Sequence, residues 1–363
     1  MFRKKYSIIL VSILLSVLCI FTCTSCQNLQ INEKESLFNE SNTASAESYL
    51  EEMKNYYYSK SFAGGTGFVK EKNKTPYYEY TGGSMKIECV IENGGDAFEC
   101  GVSLVLDGIS QTFTLTDKNG NTTDNGLMHI INLGKKERVA LTLEFTPNTG
   151  KKGDILNVAV GTMLAPSYTT VYDGYGSYGK YRQHTFNATS DVYIHMMTDA
   201  PTQEPSAKLT VEQVDIPEAY RARFRSVDED RWGTTYMVEL YTDREMAEAE
   251  EGFRVIRVPA GDTAEITLDV FGMADDWRAS LFVNHELIEL TDGSTYVDFS
   301  TDTKSVTRVT LPVDISELSE NNHAYVILYH KSETSRVISE NSYVFADKTD
   351  TYYFIVGGTD ATN

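Results

Sequence analysis

The dominant period along the chain is two. Met85, Ile87, Cys89 and Ile91 alternate with Lys86, Glu88 and Glu92, and Val139, Leu141, Leu143 and Phe145 alternate with Arg138, Ala140, Thr142 and Glu144. Such alternation sets one face of each strand on a core and the other in water, the pattern of antiparallel strands. Turn chemistry punctuates these runs at Asn93-Gly94-Gly95-Asp96, Asp107-Gly108, Lys118-Asn119-Gly120-Asn121, Asn148-Thr149-Gly150 and Asp292-Gly293-Ser294. The chain is therefore predicted to be all-β, in the form of sandwiches. One short helix is expected before them, where Ser48 and Glu51 have the spacing of a capping box and Leu50, Met53 and Tyr57 recur at i, i+3 and i+7.

The two halves repeat one order of elements. In the first, a strand at 87–91 meets the Asn93 turn and a strand at 102–106, followed by strands at 139–145 and 155–160. In the second, strands at 266–270, 279–283, 309–313 and 324–329 follow in the same order, with a turn at 272–275. Leu156, Val158 and Val160 line up with Tyr325, Ile327 and Tyr329. Each half then makes a long excursion, 165–189 and 331–348, before a closing strand at 192–196 or 352–356. Two copies of one seven-strand plan, as in immunoglobulin-like sandwiches, is the economical explanation; a chance match of two generic β patterns is the alternative.

The front of the chain is different. Arg3, Lys4 and Lys5 precede an apolar run at 8–21, and Thr22, Thr24 and Ser25 lead to Cys26, which is the layout of an export signal. Cys23-Thr24-Ser25-Cys26 resembles the lipobox of bacterial lipoproteins, with Cys23 where that family usually has Leu. The resemblance implies that Cys26 receives diacylglycerol, with Cys23 as the alternative acceptor. An ordinary cleaved signal peptide and an uncleaved anchor are the other readings. Residues 27–47 are polar and hold few apolar side chains, so they are expected to act as a tether.

The charge narrows the partners. The chain has 363 residues, and 32 Lys and Arg against 52 Asp and Glu give a net charge of −20. No basic stripe interrupts that acidic balance, which excludes nucleic acid and anionic lipid heads as binding partners. A hydrophobic fraction of 41%, with 23 Tyr and 16 Phe, excludes wholesale disorder.

The first half also resembles the cell-adhesion-related immunoglobulin-like domains of bacterial surface proteins. The residues that carry this are 90–97, with Asn93-Gly94-Gly95-Asp96, then 102–108 ending in Asp107-Gly108, and Leu133-Gly134-Lys135-Lys136 ahead of 139–145. The second half keeps the spacing but has Gly272-Met273-Ala274-Asp275. The resemblance implies an extracellular binding, adhesion or spacer module rather than a catalyst, and carries over no functional residue.

Few side chains are marked for chemistry. Cys89 and Cys100 each lie five residues from the Gly94-Gly95 pair. A short disulfide loop is expected, and two reduced thiols packed as small hydrophobes are the alternative. The six histidines are scattered without metal or catalytic spacing, so no metal or other cofactor is expected. His285-Glu286 is read as a turn dipeptide. Asp117, Asn119, Asn121 and Asp124 mimic a calcium loop, but Thr122 and Met128 stand where Gly and Glu are needed, so a hairpin turn is expected. Gly174-Tyr175-Gly176-Ser177-Tyr178-Gly179 has the letters of a dinucleotide fingerprint without a following helix. Tyr172, Tyr175, Tyr178 and Tyr181 fall in a Gly- and Ser-containing loop, a composition suited to ligand binding or to packing back on the sandwich.

The expected layout is a lipoprotein signal at 1–25, a tether at 26–47, a helix and first sandwich at 48–200, a linker at 201–206, a second sandwich at 207–358 and a tail at 359–363. The expected function is non-catalytic binding, adhesion or spacing, with a lipid anchor on the extracellular face of a bacterial cytoplasmic membrane. Its ligand would be a glycan, a cell-wall polymer or a protein. An envelope polysaccharide or peptidoglycan hydrolase using paired carboxylates, and a structural accessory subunit of a membrane complex, are the alternatives.

Overall fold

Ten strands make the first sandwich: β1 (Gly64–Phe68), β2 (Tyr77–Tyr80), β3 (Met85–Asn93), β4 (Phe98–Leu106), β5 (Ile109–Gln111), β6 (Thr114–Asp117), β7 (Met128–Leu133), β8 (Arg138–Phe145), β9 (Ile155–Leu164) and β10 (Phe186–Met196). The computed structural model describes residues 64–68, 77–95, 97–167, 186–223, 236–242, 255–331, 337–339, 342–343, 346–349 and 352–357. Cys26, the helix expected from Ser48 onward, and Tyr172, Tyr175, Tyr178 and Tyr181 lie outside the described residues. One sheet runs β1-β3-β8-β6 and the other β2-β10-β9-β4-β5, with β7 also on β4. The alternating residues Ile87, Cys89 and Ile91 of β3 and Leu141, Leu143 and Phe145 of β8 enter the core between the sheets. There they meet Val102, Leu104 and Leu106 of β4 and Leu156, Val158 and Val160 of β9.

The Asn93 turn is a corner between sheets, because β3 and β4 belong to different ones. Asn93 holds the corner: its buried amide donates to the Gly134 carbonyl at 2.7 Å and accepts from the Gly95 N–H at 2.8 Å. The 117–121 segment is the expected turn, in which Asp117 accepts backbone N–H bonds from Asn119 and Asn121 at 2.8 and 2.9 Å.

The second sandwich is formed by β11 (Ser206–Ala207), β12 (Val211–Asp215), helix α1 (Glu218–Arg223), β13 (Met237–Tyr241), β14 (Val255–Val258), β15 (Thr263–Phe271), β16 (Asp275–Val283), β17 (Glu286–Leu287), β18 (Tyr296–Thr301), β19 (Ser305–Asp314), β20 (Asn321–His330), β21 (Val337–Ser339), β22 (Ser342–Tyr343), β23 (Ala346–Lys348) and β24 (Tyr352–Val356). Its sheets run β12-β19-β15-β13 and β11-β18-β16-β20-β24-β14, with β17 on β16, β23 on β20, and β21 and β22 paired separately. The order β3, β4, β8, β9, β10 of the first sandwich thus returns as β15, β16, β19, β20, β24. Even the parallel edge pairing recurs, β2 on β10 and β14 on β24. The fold is a tandem pair of immunoglobulin-like sandwiches, each with its own core.

Two differences separate the copies. The place beside β8 is filled by β6, from inside the first sandwich, whereas the place beside β19 is filled by β12, which arrives from the connecting segment. That connection is tied down. The Glu204 N–H donates to the Asn148 carbonyl at 3.0 Å, and the Glu204 carboxylate accepts from Thr295 Oγ1 at 3.1 Å.

The structure corrects two expectations. Leu106 and Val283, each the last residue before a hairpin turn, pair with Val158 and Ala324, so Val158 answers to Ala324 rather than Ile327 and the alignment with Tyr325, Ile327 and Tyr329 is three residues out. Ala324, Val326 and Leu328 line the second core, and the three bulkier side chains face the other way. Strand β20 is buried on both faces, which erases the period-two signal.

The second correction concerns Cys89 and Cys100, which are free thiols, each 1% exposed, on opposite sheets of the first core. Burial pushes both up to about 12. They act as small hydrophobes, and by register their places are taken in the second core by Leu268 and Trp277.

Candidate functional site

The face of β20 that turns away from its own core meets the first sandwich, and the described residues concentrate their unusual chemistry at this junction. Both sandwiches belong to one unit, Tyr57–Asn363. Each sends a two-residue hairpin turn to it. Asp107 and Gly108 link β4 to β5 with φ of 47° and 81°, and Asn284 and His285 link β16 to β17 with φ of 52° and 68°. Two consecutive left-handed residues define the type I′ turn, whose twist matches that of the strands it joins.

The contacts are reciprocal. At Gly108, a Cβ would fall 2.6 Å from the Cβ, Cγ and Cδ1 of Tyr329 on β20, so only glycine allows this approach. Asp107 offers its carbonyl to Arg278 Nη1 at 2.7 Å. In the other direction, His285 Nε2 lies 2.7 Å from the carbonyl oxygen of Pro166, just beyond the end of β9. Between the turns, Met163 of β9 packs with Phe282, Tyr325, Ile327 and Tyr329, flanked by Met128 and Leu287.

An ion-pair cluster fixes one side of the junction. Arg278 donates to both carboxylate oxygens of Asp298, from Nε at 2.7 Å and Nη2 at 2.9 Å, while Lys331 Nζ donates to Asp298 Oδ2 at 2.8 Å. The guanidinium also lies 4.3 Å above the Tyr296 ring. Burial acts to raise the Asp298 carboxyl, but the hydrogen bonds from Arg278 and Lys331 outweigh it and hold it below its ordinary 3.8. This fork-on-carboxylate geometry is the strong form of charged hydrogen bond.

A histidine pair occupies the other side. His323 Nε2 lies 3.0 Å from His285 Nε2, with ring centroids 4.3 Å apart, and His285 Nδ1 lies 3.1 Å from the Tyr325 hydroxyl. Burial pushes that hydroxyl far above its ordinary value, so Tyr325 stays neutral. The turn is locked to β20 by the Asn284 amide, which donates to Asn322 Oδ1 at 2.8 Å. Beside His285 a cavity of about 10 Å³, lined also by Ser103, Met128, Met163 and Phe282, has the size of one water. The buried Ser103 Oγ on its wall has no hydrogen-bond partner.

A second polar cluster lies on the outer face of β15 and β19. The fully buried Asp269 carboxylate accepts from Arg308 Nε and Nη2, each at 2.9 Å, from Tyr241 Oη at 2.8 Å and from Tyr220 Oη at 3.2 Å. Tyr220 of α1 stacks on Phe271 at 4.8 Å. Four donors occupy this carboxylate, so it clamps the helix to the sheet.

Sequence reasoning missed the junction. His285 was expected in a turn, and the turn is there, but its partner His323 is 38 residues away and outside any motif. Arg278 carried no signal because it sits on a strand face that alternation assigns to water. Cys89 and Cys100 are brought into one core, unbonded.

No family model matches the chain, and no curated protein does. Among solved structures, it is similar to the Salmonella enterica SafA pilin in complex with the SafB chaperone at 10% identity, over 81% of this chain and 97% of that one, with a TM-score of 0.22. The E. coli chaperone DraB aligns at 9% identity over 80% of this chain and 98% of its own, with a TM-score of 0.21. The Pseudomonas aeruginosa CupB2 chaperone aligns at 7% identity over 77% and 97%, with a TM-score of 0.19. Likenesses this distant carry no argument about function. The class defined by the strand order is that of tandem immunoglobulin-like β-sandwich proteins.

Proposed function

We propose that the chain is an exported, lipid-anchored, non-catalytic protein of the bacterial envelope that acts as a binding or spacer module. The observation that supports it best is the junction: reciprocal turns, a shared apolar cluster and the hydrogen bond from Arg278 to the Asp107 carbonyl hold the two sandwiches as one stiff body. Stiffness of this kind suits a module that must present binding loops at a fixed distance from its anchor. The order of Arg3, Lys4 and Lys5, the apolar run at 8–21 and Cys26 supports export and acylation. Among the described residues, no helix is long and apolar enough to cross a membrane. The ligand in this reading is an envelope glycan, wall polymer or protein, met by the tyrosines at 172, 175, 178 and 181.

Metabolic labelling with an alkyne fatty acid tests the anchor. Wild-type protein should take up label and sediment with membranes, and Cys26→Ser should do neither; equal labelling of the two overturns the anchoring. A screen of the protein against envelope glycans and wall fragments tests the rest. Binding that falls on changing Tyr175 and Tyr178 to Ala supports it, whereas cleavage of a wall fragment that is lost with one Asp or Glu would replace it with the hydrolase reading.

A further inference from the structure

We infer that β7 is a self-association edge, through which two copies of the chain pair their β7 strands antiparallel about a two-fold axis. The strand, Met-His-Ile-Ile-Asn-Leu at 128–133, bonds to β4 along one side. Among the described residues its other side meets no strand, and no turn or loop backbone bond reaches any of its six residues. Alternate N–H and C=O groups therefore face outward, a ready template for a further strand.

The other described edges are guarded. Strand β2 carries Glu79, β6 Asp117, β12 Glu212 and Asp215, β13 Glu239 and β14 Arg257, and a charge on an edge strand discourages pairing. Strands β5 and β11 are only three and two residues long. Strand β1 has no charge, but three of its five residues are glycine. By contrast β7 has no charge, no proline and no glycine, and its β-formers include Ile130, which is 49% exposed. Ile131 and Leu133 serve the core, so Ile130 stands on the opposite face. Register sets Ile130 in one row with Gly101 and Met163. The second sandwich buries Met163 and leaves Ile130 open.

Symmetry and charge select a second copy as the occupant. A net charge of −20 opposes the meeting of two copies, so a self-contact has to form where the surface is neutral, as β7 is. Contacts across a two-fold axis are reciprocal. A register centred on Ile130 sets that side chain against its counterpart and Met128 against Asn132 of the second copy, so both exposed isoleucines are covered. The ends match as well. Asp124 precedes the strand and Lys136 follows it, both exposed and each six residues from Ile130. Antiparallel pairing therefore brings the acidic end of each copy beside the basic end of the other. A foreign strand of arbitrary sequence gains the backbone bonds but neither match.

Cysteine trapping in the full-length chain tests the axis. Ile130→Cys is expected to give a disulfide-linked dimer in intact expressing cells, whereas Val211→Cys, at a 38% exposed position on edge strand β12, is not. Sedimentation of the detergent-solubilised full-length chain should show a monomer–dimer equilibrium. Ile130→Lys places like charges on the axis and should weaken association by about tenfold or more. Asp124→Lys should weaken it less, and adding Lys136→Asp to that variant should restore it, a rescue that a folding defect would not show. A monomer at every concentration up to about 100 μM, a dimer indifferent to Ile130→Lys, or equal trapping at 130 and 211 overturns the pairing.

Discussion

The two sandwiches share a strand plan but fill their cores differently. Cys100 and Trp277 stand at the same place, seven residues before the first residue of the hairpin turn that follows β4 and β16. Around Cys100 the first core is apolar. Around Trp277 the second core carries polar partners: Trp277 Nε1 donates to Thr301 Oγ1 at 2.8 Å, and His330 Nδ1 lies 2.7 Å from Asp275 Oδ2, with both side chains at most 1% exposed. A small residue lets the two sheets of the first copy close over cysteines, while the indole of the second needs a hydroxyl beside it. The plan fixes where strands run, and the local chemistry decides what each core tolerates.

The largest effect should come from breaking that comparison at its shared position. Trp277→Ala is expected to cost about 3–5 kcal/mol, and Cys100→Ala no more than about 1 kcal/mol, because the residual cavity scales with the atoms removed. Urea unfolding of the two variants checks the ranking; equal losses would show that the positions are not equivalent.

A substitution at Gly108 addresses the junction instead of the cores. Its φ of 81° and the 2.6 Å approach to Tyr329 mean that Gly108→Val adds both a left-handed strain and an overlap, together about 2–4 kcal/mol. The second hairpin turn has no glycine, so only the first is expected to be this sensitive. Thermal melts of Gly108→Val and of Asn284→Gly compare them, and a silent Gly108→Val would contradict the docking.

Lowering the pH sharpens the picture by a smaller amount. The Asp298 carboxyl is held below its ordinary 3.8 in the folded protein, so the stability it lends is complete above that value and is lost as pH falls through the folded value. Asp298 is 31% exposed, which limits the effect to less than about 1 kcal/mol. Asp298→Asn should remove this acid sensitivity below about pH 4, and a pH profile unchanged by the substitution would remove Asp298 from the junction.

Much of the fold was legible in the sequence. Alternation at 85–91 and 139–145 placed β3 and β8 with their core faces correct, and Asp107-Gly108 named its turn. Strands with weak apolar signal were not legible: β1 is Gly-Gly-Thr-Gly-Phe, and β12 is largely exposed with Glu212, Gln213 and Asp215. On β20 the reading failed by three residues, an odd shift that exchanges the two faces, since Tyr325, Ile327 and Tyr329 look like core and face the other sandwich. The junction was invisible for the same reason. Its residues meet across more than a hundred positions, as His285 and Pro166 do, and local periodicity carries no such information.

Whether the two copies behave as one body is settled most directly by scanning calorimetry of the protein carrying both sandwiches. The junction described above predicts a single transition whose calorimetric and van't Hoff enthalpies agree. Two resolved transitions, each with the enthalpy of one sandwich, would contradict it.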